Sequence, residues 1–459
     1  MAFQSSRSVL RAVAAERRRL CVEPREGNLL IDLSNLLKRI RNLPLRDESN
    51  SDSVVNEPSG GSSVEILAEL AHLLECDSRH ARHLACAILV AVSQYLSSSL
   101  EEWEAFIRSL FVALEIVVMK STQTHRSFPS LKSALQNSTS STATCILEVL
   151  CNAFKCIKRE PPRSQVFFVS LSSFLQNNQW ERLKSFHKRN DCLNNLLRLL
   201  CSVLGQTDVS ATFVSSVANT LPHLIGYCCD SGVTYYTRHK LLMIMVRLTD
   251  QTSVDFSSFL HLLHRYFDDV LMEPMTNNKI VKDQSFEESP FVCSQVHLQR
   301  SAVIIFLRVC FGGMRVSNGD GFHEIDKWVK HQTTGVENRL DFCRDFVGLY
   351  INEDGLLFAV LLELLSIHGF INKLGKGEGD TCEKERLSWR FDYAFNPVVL
   401  FEMFLEGVKY DHQVVVDYLI SKDSGIRCAE YLLKQVVQLL FIFVRNVEPL
   451  VVQVFKSCL

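Results

Sequence analysis

Glycine and proline are scarce in this chain, 19 and 11 residues in 459, as expected where helices fill most of the length. Charge of one sign is missing too. A net charge of -2 with 22% charged residues argues against general nucleic-acid binding, which needs a basic face to displace counterions. No run shows the sustained period-two alternation of half-buried strands. No apolar run is long and clean enough to cross a bilayer. Leu356 to Ile371 is short and contains Glu363, and Val436 to Phe455 is broken by Arg445, Glu448 and Pro449. The start, Met1-Ala2-Phe3-Gln4-Ser5-Ser6-Arg7, lacks the apolar core of a signal peptide.

The 16 cysteines include no Cys-x-x-Cys pair, which removes the common zinc-ribbon pattern. Most lie inside apolar runs, Cys145, Cys151, Cys156, Cys201 and Cys310 among them. There they read as small buried hydrophobes in a reducing compartment.

What is present is helical periodicity. Ile66, Leu67, Leu70, Leu73 and Leu74 form one stripe at 3.6-residue spacing. Ala85, Ile88, Leu89, Val92 and Leu96 repeat it, as do Phe106, Leu110, Phe111 and Leu114. Further stripes predict helices at 143–157, 163–176, 189–204, 209–229, 235–250, 254–272, 295–311, 338–350, 353–371, 396–408, 412–421 and 425–445. Polar breaks fall at 42–63, 121–141 and 272–292, and Lys373 to Lys384, with three glycines, reads as an exposed loop. Several helices are apolar on more than one face, as in Leu241-Leu242-Met243-Ile244-Met245-Val246. Such helices need neighbours on two sides, which stacked pairs supply. The expected fold is all-α, an irregular α-solenoid of armadillo/HEAT-like stacked helices. The expected parts are a basic N-terminal segment and polar linker (1–63), a helical repeat region (64–394), a helical hairpin (395–440) and an apolar tail (441–459).

Residues 1–46 hold ten Lys/Arg against four acids. Arg17-Arg18-Arg19 and Lys38-Arg39-Ile40-Arg41 fit either an import patch or, more simply, the solvated face of short helices. A transit peptide is a third reading, opposed by Glu16 and Glu23.

No constellation with catalytic, cofactor or metal chemistry survives its simpler explanation. Cys76, His80, His83 and Cys86 share one helical face but span about 15 Å at 1.5 Å per residue, too far for one zinc at about 2.0–2.3 Å from each ligand. His261 and His264 lack the glutamate of a helical zinc-protease motif, and Cys228-Cys229 with His223 is weaker. Gly375, Gly377 and Gly379 lack the strand and the Lys-Ser/Thr pair of a phosphate loop. Asn318-Gly319-Asp320-Gly321 lacks the acidic ladder of a calcium loop. The expectation is therefore no catalytic residue, no cofactor and no metal.

The most specific block is near the end. Asp411 is placed to cap a helix from His412, with Val415, Val416, Leu419 and Ile420 as its apolar stripe. After Ser421-Lys422-Asp423-Ser424-Gly425 a second helix follows. Its Ala429, Leu432, Leu433, Val436, Val437 and Leu440 are expected to face inward, and Arg427, Glu430, Lys434 and Gln438 outward. In Asp411, His412, Asp417, Leu419, Ile420, Ser421, Tyr431, Leu432 and Leu433 the chain resembles the Lines family. The similarity is to its short C-terminal region, where an Asp-His pair leads a helix of the form LLDxLIS and a YLL helix follows. Pro397-Val398-Val399-Leu400-Phe401 is similar as well, and beyond Leu433 the chain departs from the pattern.

The resemblance implies a non-enzymatic regulatory scaffold or adaptor in developmental signalling or transcriptional control. It implies movement between nucleus and cytoplasm, and protein partners that include zinc-finger transcription regulators; the charge balance and the lack of a spanning run lead us to expect no direct contact with nucleic acid or membrane. The alternatives from the residues alone are a structural helical-repeat subunit of a large assembly and, more remotely, a metal protein or enzyme.

Overall fold

The computed structural model describes residues 26–42, 67–68, 74, 78–119, 129–135, 138–157, 160–176, 191–206, 209–229, 234–251, 256–275, 295–316, 320–374, 381–421 and 424–437. Among them there are helices and no strand. The chain divides into two compact units, Met1–Val233 and Thr234–Leu459.

The first unit holds α1 (Glu26–Arg41), α2 (Arg79–Leu96), α3 (Leu100–Met119), α4 (Pro129–Ala134), α5 (Ser140–Ile157), α6 (Pro161–Gln176), α7 (Asp191–Leu204) and α8 (Ala211–Cys229). Two rows run through it: α2 packs on α5 and α5 on α7, while α3 packs on α6 and α6 on α8. Helix α5 also touches α3, so it must be apolar nearly all round. It buries Ala143, Ile146, Leu147, Val149, Leu150, Cys151, Ala153, Phe154 and Ile157. Phenylalanines join the rows: Phe167 lies 5.4 Å from Phe111 and 5.0 Å from Phe154, and Phe168 lies 5.8 Å from Phe213. Helix α1 packs on α2 with Leu33, Leu36, Leu37 and Ile40 buried, while Lys38, Arg39 and Arg41 are exposed. Those three cations form a solvated face at the helix C-terminus, where positive charge complements the dipole. Arg17, Arg18 and Arg19 lie outside the described residues.

The second unit holds α9 (Tyr235–Gln251), α10 (Phe256–Leu271), α11 (Gln295–Val316), α12 (Asp320–Thr333), α13 (Arg339–Tyr350), α14 (Asp354–Leu374), α15 (Thr381–Phe395), α16 (Pro397–Gly407) and α17 (His412–Ile420). A last helix, α18, occupies 425–437. Helix α11 is the hub, packed by α9, α10, α12, α13 and α14. Glycine permits one of these crossings: a Cβ on Gly321 would collide with the backbone of α11 at Cys310 and Met314. Trp328 of α12 stacks on Phe395 with centroids 5.5 Å apart and donates to Leu271 O at 3.2 Å.

By length and composition, two helices pass as bilayer spans, Gln295–Val316 and Gly355–Lys373. Within their apolar windows 78% and 56% is buried by protein, as core helices require.

Three sequence expectations need correction. The polar break at 121–141 contains the short helix α4, which opens on Pro129, a residue suited to the first helical position. The stretch 320–333, to which the stripes assign no helix, is α12. The exposed loop expected to run to Lys384 gives way to α15 at Thr381. Charged residues dilute the apolar stripes of α12 and α15, so period alone does not reveal them.

Candidate functional site

The terminal hairpin α17–α18 begins as its residues dictate. Asp411 Oδ1 accepts from Gln413 N at 2.9 Å, capping α17. The turn before it holds Lys409 and Tyr410 at φ 57 and 56, left-handed backbone that side chains other than glycine adopt at a cost. At the turn inside the hairpin a Cβ on Gly425 would strike Leu419 O. Glycine is what lets α18 start so close to the end of α17.

Tyrosines anchor the hairpin. Tyr418 and Tyr431 lie 5.2 and 5.9 Å from the Phe358 ring of α14, and Tyr431 lies 5.9 Å from Phe401 of α16. Their hydroxyls donate to Ile351 O at 2.9 Å and Pro397 O at 3.5 Å. Gln435, also buried, donates to Pro397 O at 2.7 Å. Burial pushes the Tyr431 phenol upward, so it stays a neutral donor.

A charge network adds to these anchors. Arg427 donates to Asp250 Oδ2 at 2.6 Å and Gly355 O at 3.1 Å. Asp250 also accepts from Arg308 at 3.0 Å, and Arg308 reaches Glu363 Oε1 and Val246 O, each at 3.0 Å. The network therefore joins α9, α11, α14 and α18. Burial raises the Glu363 carboxyl above its ordinary value, and the Arg308 guanidinium opposes that shift.

These anchors decide which way α18 faces: Glu430 and Lys434 point outward as expected, but most of the apolar stripe expected inside does too. Ser424, Cys428, Tyr431 and Gln435, at steps of four, three and four, are the buried row. Ile426, Ala429, Leu433, Val436 and Val437 lie on the opposite side, in solvent. Leu433 is 66% exposed and Ile426 85% exposed. Leu432 is half-buried. Arg427, expected to point outward, is tied inward. Helix α17 behaves alike: Tyr418 is buried, while Val416, Leu419 and Ile420 of its apolar stripe are exposed, Ile420 at 73%. The hairpin thus presents seven branched apolar side chains on two adjoining helices. Of the remaining family-motif residues, Asp411, His412 and Asp417 are exposed, Ser421 ends α17, and Gln413 reaches Asp417 at 3.3 Å.

Residues 281–439 match the family described as Lines N-terminus. The match lies in the C-terminal half of the chain. No curated protein matches the chain. The family is the one the motif residues resemble, but the matched portion differs from the expected one. All nine motif residues fall inside the match to the N-terminal part of Lines, whereas the resemblance pointed to the C-terminal region.

Within the matched segment and around it, the sequence motifs with possible chemistry are dispersed. His264 sits between Asp268 at 3.0 Å and Glu324 at 3.2 Å, while His261 is exposed. His80 and His83 are exposed on α2, Cys86 is buried, and Cys76 lies outside the described residues. So do Gly375, Gly377, Gly379, Asn318 and Gly319, and the side chains of Cys228 and Cys229. Among the described residues no three His, Cys, Asp or Glu side chains are grouped to hold a metal. Sequence reading missed Asp250, Arg308, Phe358 and Gln435, which orient the hairpin. Their partners are distant in the chain, 177 positions apart for Asp250 and Arg427, and no local spacing signals such a pair.

Proposed function

We propose that this chain is a non-enzymatic, Lines-like regulatory scaffold or adaptor. In this reading its helices stack as an irregular α-solenoid of armadillo/HEAT-like type, and it works by binding other proteins in the nucleus and cytoplasm. The observation that supports it is the apolar outer face of α17 and α18, carried by Val416, Leu419, Ile420, Ile426, Leu433, Val436 and Val437. Large apolar side chains exposed together with charges, here Asp417, Glu430 and Lys434, are the composition that interaction sites use. The occupant that fits is an amphipathic helix of a partner protein, laying its own apolar stripe across the two helices. A transcription regulator with such a helix is the partner class that the Lines resemblance implies.

The test is proximity labelling in cells, comparing the full chain with its Ile426→Asp/Leu433→Asp double variant. Both substituted positions are exposed, so the variant should keep the circular dichroism of the parent. The reading expects a defined set of regulatory proteins to lose labelling in the variant. Unchanged labelling with a folded variant would refute it. Loss confined to fixed members of one large assembly would favour the structural-subunit alternative.

A further inference from the structure

The row of thiols and imidazoles on α2 finds a use in the first unit different from metal binding. Cys86 of α2 and Cys145 of α5 meet where these two helices pack. Cys86 Sγ donates to Cys145 O at 3.8 Å, which sets its sulfur beside the second cysteine. Both line a cavity of about 420 Å3, together with Arg79, Arg82, His83 and Glu148. That volume lies in the range of small-molecule sites and far exceeds what a water-sized reactant needs.

Electrostatics distinguish the two sulfurs. The adjacent Cys86 side chain lowers the Cys145 thiol below its ordinary value and the Arg82 guanidinium adds to the lowering, while burial and the Glu148 carboxylate oppose it. Cys86 is raised, because giving up its proton would lose its hydrogen bond to Cys145 and place a thiolate in a buried site. Elsewhere burial only raises thiols: Cys192 to about 12, Cys343 and Cys428 to about 11, and Cys151 and Cys310 upward as well. Among the described cysteines Cys145 is thus the lowered thiol, with Cys86 beside it, on a cavity whose walls pair Arg79 and Arg82 with Glu148 and Asp191. This is the arrangement of an attacking and a resolving cysteine.

We propose that Cys86 and Cys145 form a peroxide-sensitive dithiol site that closes reversibly to a disulfide between α2 and α5. In the first step the Cys145 thiolate attacks one oxygen of hydrogen peroxide. An S–O bond forms and the O–O bond breaks. The departing hydroxide takes up the proton released from Cys145 and leaves as water. Cys145 is now a sulfenic acid. In the second step Cys86 attacks the Cys145 sulfur, an S–S bond forms, the S–O bond breaks, and the hydroxyl leaves as water with the Cys86 proton. Two thiols and one peroxide become one disulfide and two waters. A small thiol such as glutathione reverses the reaction by exchange. In a reducing compartment such a bond is transient, as redox-sensing disulfides are.

The experiment uses the reduced full chain. It is treated with hydrogen peroxide, its remaining thiols are alkylated, and peptides are mapped by mass spectrometry. The expected product is a linked Cys86–Cys145 peptide that disappears with reductant, while Cys192 and Cys310 stay alkylatable. In Cys86→Ser, Cys145 should accumulate sulfenic acid that a dimedone probe traps. In Cys145→Ser, Cys86 should stay unmodified at the same dose. The wild-type chain decides the matter even if a variant folds poorly. Full alkylation of Cys86 and Cys145 after a dose that oxidises exposed Cys156 would overturn the proposal. So would over-oxidation of Cys145 without a linked peptide.

Discussion

Helices α5 and α18 carry comparable apolar stripes and end in opposite situations. Around α5, neighbours stand on three sides, and Ile146, Val149, Leu150, Ala153 and Phe154 are buried. Against α18 the protein supplies one side, which Tyr431, Cys428 and Gln435 occupy, while Ile426, Leu433, Val436 and Val437 stay outside. An amphipathic stripe says that a surface favours cover. It does not say which of two faces the rest of the chain will cover. On α18 the choice falls to groups that must be satisfied individually: a phenol, an amide and a guanidinium, each finding a partner on one side.

The comparison can be broken by truncating the buried anchors. Phe154→Ala in α5 and Tyr431→Ala in α18 should each cost about 3–5 kcal/mol, from lost burial plus the cavity left behind. Urea unfolding gives the values, and hydrogen exchange locates the loosening at α5 or at α17–α18. A cost under about 1 kcal/mol for Tyr431→Ala, no more than a surface change typically brings, would mean that α18 is not docked.

Next in size is the charge network. Arg308→Met leaves Glu363 buried without its guanidinium and frees Asp250 from one of two arginines. Removing one partner of a buried ion pair costs about 3 kcal/mol or more. The same urea series should show that loss in the second unit, with hydrogen exchange rising around α9, α11 and α14 and unchanged in α5.

Acid should separate the units as well. Burial, helped by neighbouring Lys240 and His297, lowers the His239 imidazole to about 4. Below pH 6.5, its ordinary value, the unfolded chain takes up a proton that the folded chain refuses until about pH 4. Stability must therefore fall as pH drops through that window. Hydrogen exchange near α9 and α11 should rise over it while α5 stays protected. His239→Phe should flatten the dependence.

Two small effects sharpen the contrast further. Lys409→Gly relieves left-handed backbone ahead of α17 and should raise stability by about 0.5–1 kcal/mol, read from the urea midpoint. Leu433→Ala should change stability by less than about 0.5 kcal/mol, because the side chain already lies in solvent. A loss of several kcal/mol there would restore the inward-facing stripe.

Much of the architecture was legible in the residues. The stripe at 143–157 became Ser140–Ile157, that at 235–250 became Tyr235–Gln251, and the helix expected at 396–408 runs Pro397–Gly407. The cap at Asp411 was legible because capping is local, a carboxylate two residues from the amide it accepts. Helices α12 and α15 were hidden by their charge, and α4 by its six residues. Of the candidate site, the hairpin and its apolar residues were visible, but the face they turn to solvent was not. Ser424, Cys428, Tyr431 and Gln435 form the weaker stripe on any hydropathy scale. They nevertheless face inward, because Phe358, Pro397 and Asp250 wait on that side.

The sequence by itself determined the all-helical state, most helix limits, the cap at Asp411 and the Lines resemblance. Each of these rests on a 3.6-residue period or on chemistry a few positions apart. Tertiary structure alone decided the orientation of α18, the Asp250–Arg308–Glu363–Arg427 network and the meeting of Cys86 with Cys145. Those depend on helices far apart in the chain arriving at one place, where packing and the need to satisfy buried polar groups outweigh local hydropathy.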